Sequence, residues 1–415
     1  MNRRRVVVTG LGAVTPAGND VPATWAALTA GRSAVERAPR LVAAECRSQI
    51  AAEVRGFDPA TLPSRQDATR LGRSAQFALA AALEAWRDAV FDPVTLDLAR
   101  CGVILGTGFG DSSETFQQTQ NYLTSGVRGI HPAYAPRAMS NAAAAHIALE
   151  FGLRGPSFTA GSACAAAGHA IGLALRLIQY GDADLILAGG TEEISCILVP
   201  AAFDRLHALS VQNDAPQRAS RPFDRERDGF VIGEGAGVLV LEDREHALRR
   251  GARVYAELAG FGMATDVHHL TAPDPHGAGA AQAMRLALRD AGREAAHVGY
   301  VNAHGTSTLL NDAMETRAIH DVLGARARSV AVSSTKSMIG HLMGASAAVG
   351  LIATVLAVRE GMVHPTINYQ TPDPACDLDY VPNASRRLTV ELALVNSFAF
   401  GGHCVTLAVQ AAPMN

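Results

Sequence analysis

The sequence predicts an α/β fold built from two similar halves. Three observations predict it. Short apolar runs ending in glycine alternate with longer helical stretches, as buried strands alternate with helices. The same succession of runs returns, weakly but in order, in the second half of the chain. The length of 415 residues, 48% hydrophobic and 18% charged, suffices for two domains or one large duplicated core.

In order along the chain, residues 4–16 read as a buried strand ending in glycines. A helix carrying Trp25 follows, then a looser segment to about residue 60. Residues 64–90 read as one long helix, apolar nearly all round and therefore deeply packed. Residues 101–108 are a second strand and 143–149 a helix. Gly155-Pro-Ser-Phe158 reads as a turn and short strand, which leads through Cys164 into a buried helix over 171–178. Residues 184–190 and 233–241 are the third and fourth strands, and a largely parallel sheet is expected. The echo pairs 253–265 with 5–15, 298–305 with 101–108, 329–336 and the next helix with 157–178, and 398–409 with 233–241. It divides the chain into residues 1–251 and 252–415. A pseudo-twofold between such halves turns equivalent strand ends toward one cleft.

Composition removes several function classes. A net charge of −3 gives no case for nucleic acid. Six cysteines without a CxxC pair or metal spacing point to free thiols in a reducing compartment and to no metal. The apolar run after the basic N-terminus is too short for a signal sequence, and no stretch is read as a membrane helix, so the cytoplasm is expected. Of 36 basic residues only Lys336 is lysine. A lysine kept where arginine serves everywhere else points to a site that needs a compact ammonium.

Four turns carry the chemistry. Cys164 lies where a strand meets a helix start, between alanines and near Gly168. Helix-start amides and the helix dipole favour a thiolate and should lower the thiol pKa. A small buried cysteine packed as a hydrophobe fits that stretch equally well. His304, in Asn302-Ala-His-Gly-Thr-Ser-Thr308, is expected to be exposed on a loop mouth beside a polar substrate. His341 lies five residues after Lys336 at a second strand-to-helix turn. Two neutral imidazoles could donate to a carbonyl or enolate oxygen, and a nearby ammonium would hold them neutral. The glycine turn after Phe400 could complete an oxyanion hole with the Cys164 amide. One Cys, two His and a Lys suit carbon–carbon bond formation between thioesters; a hydrolase needs one His with an Asn or Asp orienter.

Gly155-Pro-Ser with Ala163-Cys164, Asn302-Ala-His304-Gly-Thr-Ser-Thr, Ser333-Ser-Thr-Lys336-Ser-Met-Ile-Gly-His341 and Asn396-Ser-Phe-Ala-Phe400-Gly-Gly resemble the signatures of the chain-elongating β-ketoacyl-acyl-carrier-protein synthases. The resemblance runs from Val6 to about Val409. It implies a thiolase-like five-layered αβαβα fold, a homodimer or a heterodimer with a chain-length factor, and no bound cofactor. An acyl carrier protein would deliver acyl and malonyl groups on its phosphopantetheine arm. Cys164 would carry the acyl group, His304 and His341 would support malonyl decarboxylation, and Lys336 would be the charged neighbour of His341. Phe400 would be the gatekeeper, its amide joining the oxyanion hole. Thr306, Thr308 and Thr271 would contact the arm. Phe109, Phe203 and, from a second subunit, Tyr134 would line the acyl pocket. Arg65, Arg70, Arg73, Arg128 and Arg205 would meet the acidic carrier.

Three departures accompany the resemblance. His403-Cys404 replaces the Thr-Asn usual after the glycine turn, and is expected to place an imidazole near the mouth. Ala347-Ala-Val-Gly350 lacks the glutamate usual near this helix in fatty-acid elongators. Phe109 is bulky where a smaller aliphatic is common. These features fit a specialised polyketide or polyene ketosynthase at least as well as a fatty-acid enzyme. A non-catalytic chain-length factor would lack the cysteine; a degradative thiolase would use a second cysteine near the C-terminus, where Cys404 lies.

Overall fold

The computed structural model describes residues 3–92 and 96–412. Met1 and Asn2 of the basic N-terminal run, and the last three residues of the C-terminal half, lie outside them. Ten strands form the central mixed sheet. In the first half these are β1 (Val6–Val14), β2 (Cys101–Gly106), β3 (Ser157–Ala160), β4 (Leu185–Glu192) and β5 (Gly235–Asp243). In the second they are β6 (Ala256–Thr265), β7 (Val298–Asn302), β8 (Ala331–Ser333), β9 (Leu392–Ala399) and β10 (His403–Gln410). From the middle outward the order is β1-β5-β4-β2-β3 on one side and β6-β10-β9-β7-β8 on the other. The two orders are the same when the strands of each half are counted in sequence. Among the described residues, the two sheet halves pair along β1 and β6 through Val7 with Glu257 and Val8 with Ala256.

Each half pairs its two inner contacts antiparallel and its two outer contacts parallel. This corrects the expectation of a largely parallel sheet. The last strand of each half returns beside the first and reverses direction, which a reading of apolar runs does not reveal.

Two helices of 15 residues, α2 (Ala166–Tyr180) and α5 (Ser346–Glu360), contact strands of both halves and each other. They form the middle layer of five. Helix α1 (Arg73–Ala89) covers one sheet half, and α3 (Ala278–Asp290) with α4 (Leu309–Leu323) covers the other. Helix α1 is shorter than the predicted 64–90. Pro63 and a turn capped by Asp67 keep the preceding residues irregular, and the helix starts only after Gly72. Gly10 and Gly12 let β1 approach α1. A Cβ on Gly12 would lie 1.9 Å from the carbonyl oxygen of Ala81. Among the described residues one stretch, Met343–Glu360, is long and apolar enough to cross a membrane, contrary to the sequence reading; nearly all of its residues are buried in the middle layer.

Each central helix is entered through a three-residue 3-10 turn whose first residue is left-handed: Ala163 (φ 49°) before α2 and Met343 (φ 46°) before α5. The structural counterpart of Cys164 is therefore Gly344. Two residues separate β3 from Ala163, but nine separate β8 from Met343. Lys336 and His341 both lie in that longer connection, which has no counterpart beside Cys164.

Candidate active site

A cavity of about 440 Å³ opens where the halves meet, and Cys164, His304 and His341 all line it. Cys164 comes from the α2 elbow. Its carbonyl accepts a 2.8 Å hydrogen bond from Ser397 Oγ on β9, which ties the elbow of one half to a strand of the other. The side chain sits among Phe203, Phe230, Met343 and other apolar residues. Burial pushes the thiol up to about 12; the Lys336 charge and the cysteine's own amide oppose the shift, and Glu192 adds to it. The expected lowering by the helix start is thus outweighed by desolvation.

His304 ends the segment after β7. It is 4% exposed, not displayed on a loop mouth, because the rings of His341 (5.4 Å) and Phe398 (5.8 Å) enclose it. The amides of His304 and Gly305 donate to the two carboxylate oxygens of Glu315 on α4, each at 2.8 Å. His304 Nδ1 is buried without a hydrogen-bond partner among the described residues. His341 is held by its amide, which donates to Val231 O at 2.7 Å. The Met343 amide donates to His341 Nδ1 (3.3 Å), and Ser346 Oγ lies 2.8 Å from the same atom. An Nδ1 that accepts leaves the ring proton on Nε2. Burial first, then the Lys336 charge, holds both imidazoles well below their usual range, so both are neutral.

Lys336 is 5% exposed and lies behind the two histidines, off the cavity wall. Burial lowers it to about 8, against the nearby carboxylates, Glu315 before Asp312, which favour the ammonium. Phe400 begins the turn whose Gly401 (φ 83°) and Gly402 (φ 76°) are left-handed. Its amide donates to no backbone carbonyl among the described residues, and its ring is 37% exposed beside Phe203.

Among the other predicted residues, Thr306, Thr308, Thr271 and Phe203 line the cavity, and the Thr306 and Thr308 hydroxyls lie 2.9 Å apart. Phe109 does not line it; it is half exposed and packs edge-on against Phe203 at 6.1 Å. Tyr134 is also away from this cavity, its hydroxyl 3.4 Å from Thr115. His403 points away from the mouth. It alternates along β10 with Cys404, which lines the cavity, so the imidazole faces the opposite side, 5.9 Å from His169. Arg65, Arg128 and Arg205 are exposed and form no ion pair among the described residues. Arg70 pairs with Asp67, and Arg73 pairs with the buried Glu234 while stacking on Phe77, so neither is a free cation.

Sequence reasoning missed two buried carboxylates. Glu192, at the end of β4, accepts from the amides of Gly108, Phe109, Gly110 and Gly344 and from Thr107 Oγ1. Glu315 clasps the His304 turn and accepts from Asn396 Nδ2 at 3.0 Å. An acidic pair closing an apolar strand at Glu192-Glu193 was the visible signal for the first; Asp312 and Glu315 on one face of α4 were the signal for the second.

The β-ketoacyl synthase N-terminal domain model matches residues 3–247, and the β-ketoacyl synthase C-terminal domain model matches 255–370. A 3-oxoacyl-[acyl-carrier-protein] synthase 2 from Synechocystis sp. is 46% identical over 410 residues, covering 99% of each chain. One from Coxiella burnetii is 44% identical over 410 residues, again 99% of each. Among solved structures, a type II PKS ketosynthase in complex with its acyl-carrier protein and bound to the hexaketide superposes with a TM-score of 0.93. It is 37% identical and is matched over 99% of this chain and 100% of that one. The ishigamide ketosynthase/chain length factor gives a TM-score of 0.92 at 37% identity, over 99% and 100% of the two chains.

Proposed function

The chain belongs to the β-ketoacyl synthase family, and on that premise we propose that it joins an acyl group held on Cys164 to the two carbons left when malonyl-acyl carrier protein loses carbon dioxide. The product is a β-ketoacyl-acyl carrier protein in fatty-acid or polyketide synthesis. The observation that carries this reading is the convergence of one thiol and two neutral imidazoles on a single cavity, with an ammonium buried behind them.

Acyl groups arrive as thioesters on the carrier's phosphopantetheine arm, which Thr306, Thr308 and Thr271 would contact along the cavity wall. A thiol held up near 12 rests protonated, so it gives up its proton only as it adds to the thioester carbonyl. The carrier's sulfur leaves with that proton, and the acyl group stays on Cys164. When malonyl-carrier follows, the imidazole N–H groups of His304 and His341 donate to its thioester oxygen. The carboxylate departs as carbon dioxide and its bonding electrons become the enolate, which the two donors stabilise. The enolate carbon attacks the acyl carbon. The amides of Cys164 and Phe400 receive the new oxyanion, and collapse expels the cysteine sulfur, which takes a proton from solvent. Lys336 touches no reacting atom in this scheme; its charge favours the enolate and keeps both imidazoles neutral.

We place this chemistry in the cytoplasm and in a homodimer, and assign residues 1–251 and 252–415 as the two halves that supply thiol and imidazoles respectively. One experiment tests the reading: intact-mass analysis of carrier protein after incubation with malonyl-carrier and a panel of acyl primers, using the wild type and Cys164→Gln. The wild type should extend a primer by two carbons at a time, and product length separates fatty-acid from polyketide chains. Cys164→Gln should release carbon dioxide from malonyl-carrier without extending any primer. Extension by that variant refutes the role of Cys164.

A further inference from the structure

We propose that His364 is a positioning residue that ties the strand before His304 to the strand before Lys336. The inference rests on the assignment of those two residues above. His364, Tyr300 and Ser333 are fully buried and Asn302 nearly so. Asn302 closes β7 two residues before His304, and Ser333 closes β8 three residues before Lys336. His364 enters between them. Its Nδ1 lies 3.0 Å from the carbonyl oxygen of Pro365, which can only accept, so Nδ1 carries the ring proton. Nε2 is then the acceptor. It faces Asn302 Nδ2 and the Tyr300 hydroxyl, each at 3.2 Å. The Tyr300 hydroxyl is in turn 2.8 Å from Ser333 Oγ. Every member of the network is neutral and partnered.

The same segment stitches the next residues of the lysine turn. Thr366 Oγ1 accepts from the Ser334 amide at 3.1 Å, and the Ile367 amide donates to Ser337 Oγ at 3.2 Å. Ser334 Oγ donates to Gly305 O at 2.7 Å, which links the lysine turn directly to the histidine turn. An apolar side chain at 364 would fill the space without the ties to Asn302 and Tyr300. A buried polar group is retained where it fixes one arrangement among several that apolar packing would allow. Position 350 completes the argument. A Cβ there would come within 3.0 Å of Asn302 Oδ1, so Gly350 leaves room for the amide that His364 holds.

The test separates the two half-reactions. Transfer of an acyl group to Cys164 depends on the α2 elbow; malonyl decarboxylation depends on the His304 and Lys336 turns. His364→Phe keeps ring volume and removes both ring nitrogens. It should lower malonyl decarboxylation at least tenfold while Cys164 acylation stays within about threefold of wild type. His364→Gln, whose amide oxygen can occupy the Nε2 position, should restore most of the lost rate. An undiminished decarboxylation rate in His364→Phe, an equal loss in both half-reactions, or a His364→Gln variant no better than His364→Phe overturns the proposal. If His364→Phe does not fold, Tyr300→Phe deletes a single hydroxyl of the network and should show the same selective loss; unchanged decarboxylation there overturns it equally. A wild-type protein that acylates Cys164 but never decarboxylates malonyl-carrier refutes the site assignment instead, and the positioning role falls with it.

Discussion

Lys336 is a residue whose chemical type matters more than its charge. It is buried at the junction of the two histidine turns, and the surrounding carboxylates hold its charge against desolvation. A guanidinium is larger and planar, and it cannot occupy the same enclosure with the same point charge. Lys336→Arg should therefore lose at least tenfold in malonyl decarboxylation, about 1.4 kcal/mol of barrier. In the wild type, burial lowers the ammonium to about 8. Raising the pH through that value removes the positive charge, so decarboxylation should fall on the alkaline side, and Lys336→Met should show no alkaline limb. A wild-type profile flat to pH 10 counts against the electrostatic role. Cys164, His304, His341 and Lys336 were legible because each follows a strand end marked by small or hydroxyl residues. The enclosure of His304 was not, because Phe398 and His341 are distant in sequence and packing alone brings their rings over it. His403 was misplaced for a related reason: strand alternation decides its side, and the first residue of β10 could not be fixed from the motif.

At the scale of elements, the duplicated elbow is the feature that positions the nucleophile. Glu192 gathers the amides of residues 108–110 and of Gly344, so the loop beside Cys164 and the elbow of the other half hang on one carboxylate. A Cβ on Gly344 would lie 2.5 Å from the Gly108 backbone nitrogen, and no side-chain rotation relieves a clash with backbone. Gly344→Ala should cost about 2 kcal/mol of stability and slow alkylation of Cys164 by iodoacetamide. A urea titration and the alkylation rate check both, and wild-type values in both would show the elbow to be pliable. The strand echo in the sequence paired β1 with β6, β2 with β7, β3 with β8 and β5 with β10, as the structure does. The nine-residue connection before Met343 was hidden, because the echo matched its flanking strand and helix and passed over the insertion. Strand β9 was read only as a motif, since Asn396 and Ser397 interrupt its apolar run.

The whole molecule has two outer sheet edges, and they differ. At one, β8 is covered: Ala331 bridges Asp379, and the Val332 amide donates to the Asp379 carbonyl at 2.8 Å. At the other, β3 is exposed to half-buried along its length, with Phe158 38% exposed and Thr159 Oγ1 buried without a partner among the described residues. A bare edge strand is a template for a second chain. In the homodimer proposed above, the uncovered edge is the place for a twofold partner. Tyr134, off its own chain's cavity, would then be the residue that reaches the partner's acyl pocket. The purified protein should sediment as a dimer at micromolar concentration. Phe158→Asp places a charge on the seam, and Thr159→Pro removes an amide from the edge and distorts it. Each should weaken association at least tenfold, about 1.4 kcal/mol, and shift the product length measured on carrier protein. A wild type that is monomeric alone and pairs only with a chain-length factor would assign the same edge to a heterodimer. A wild type that stays monomeric with every such partner, at full activity, would show the edge to be unused.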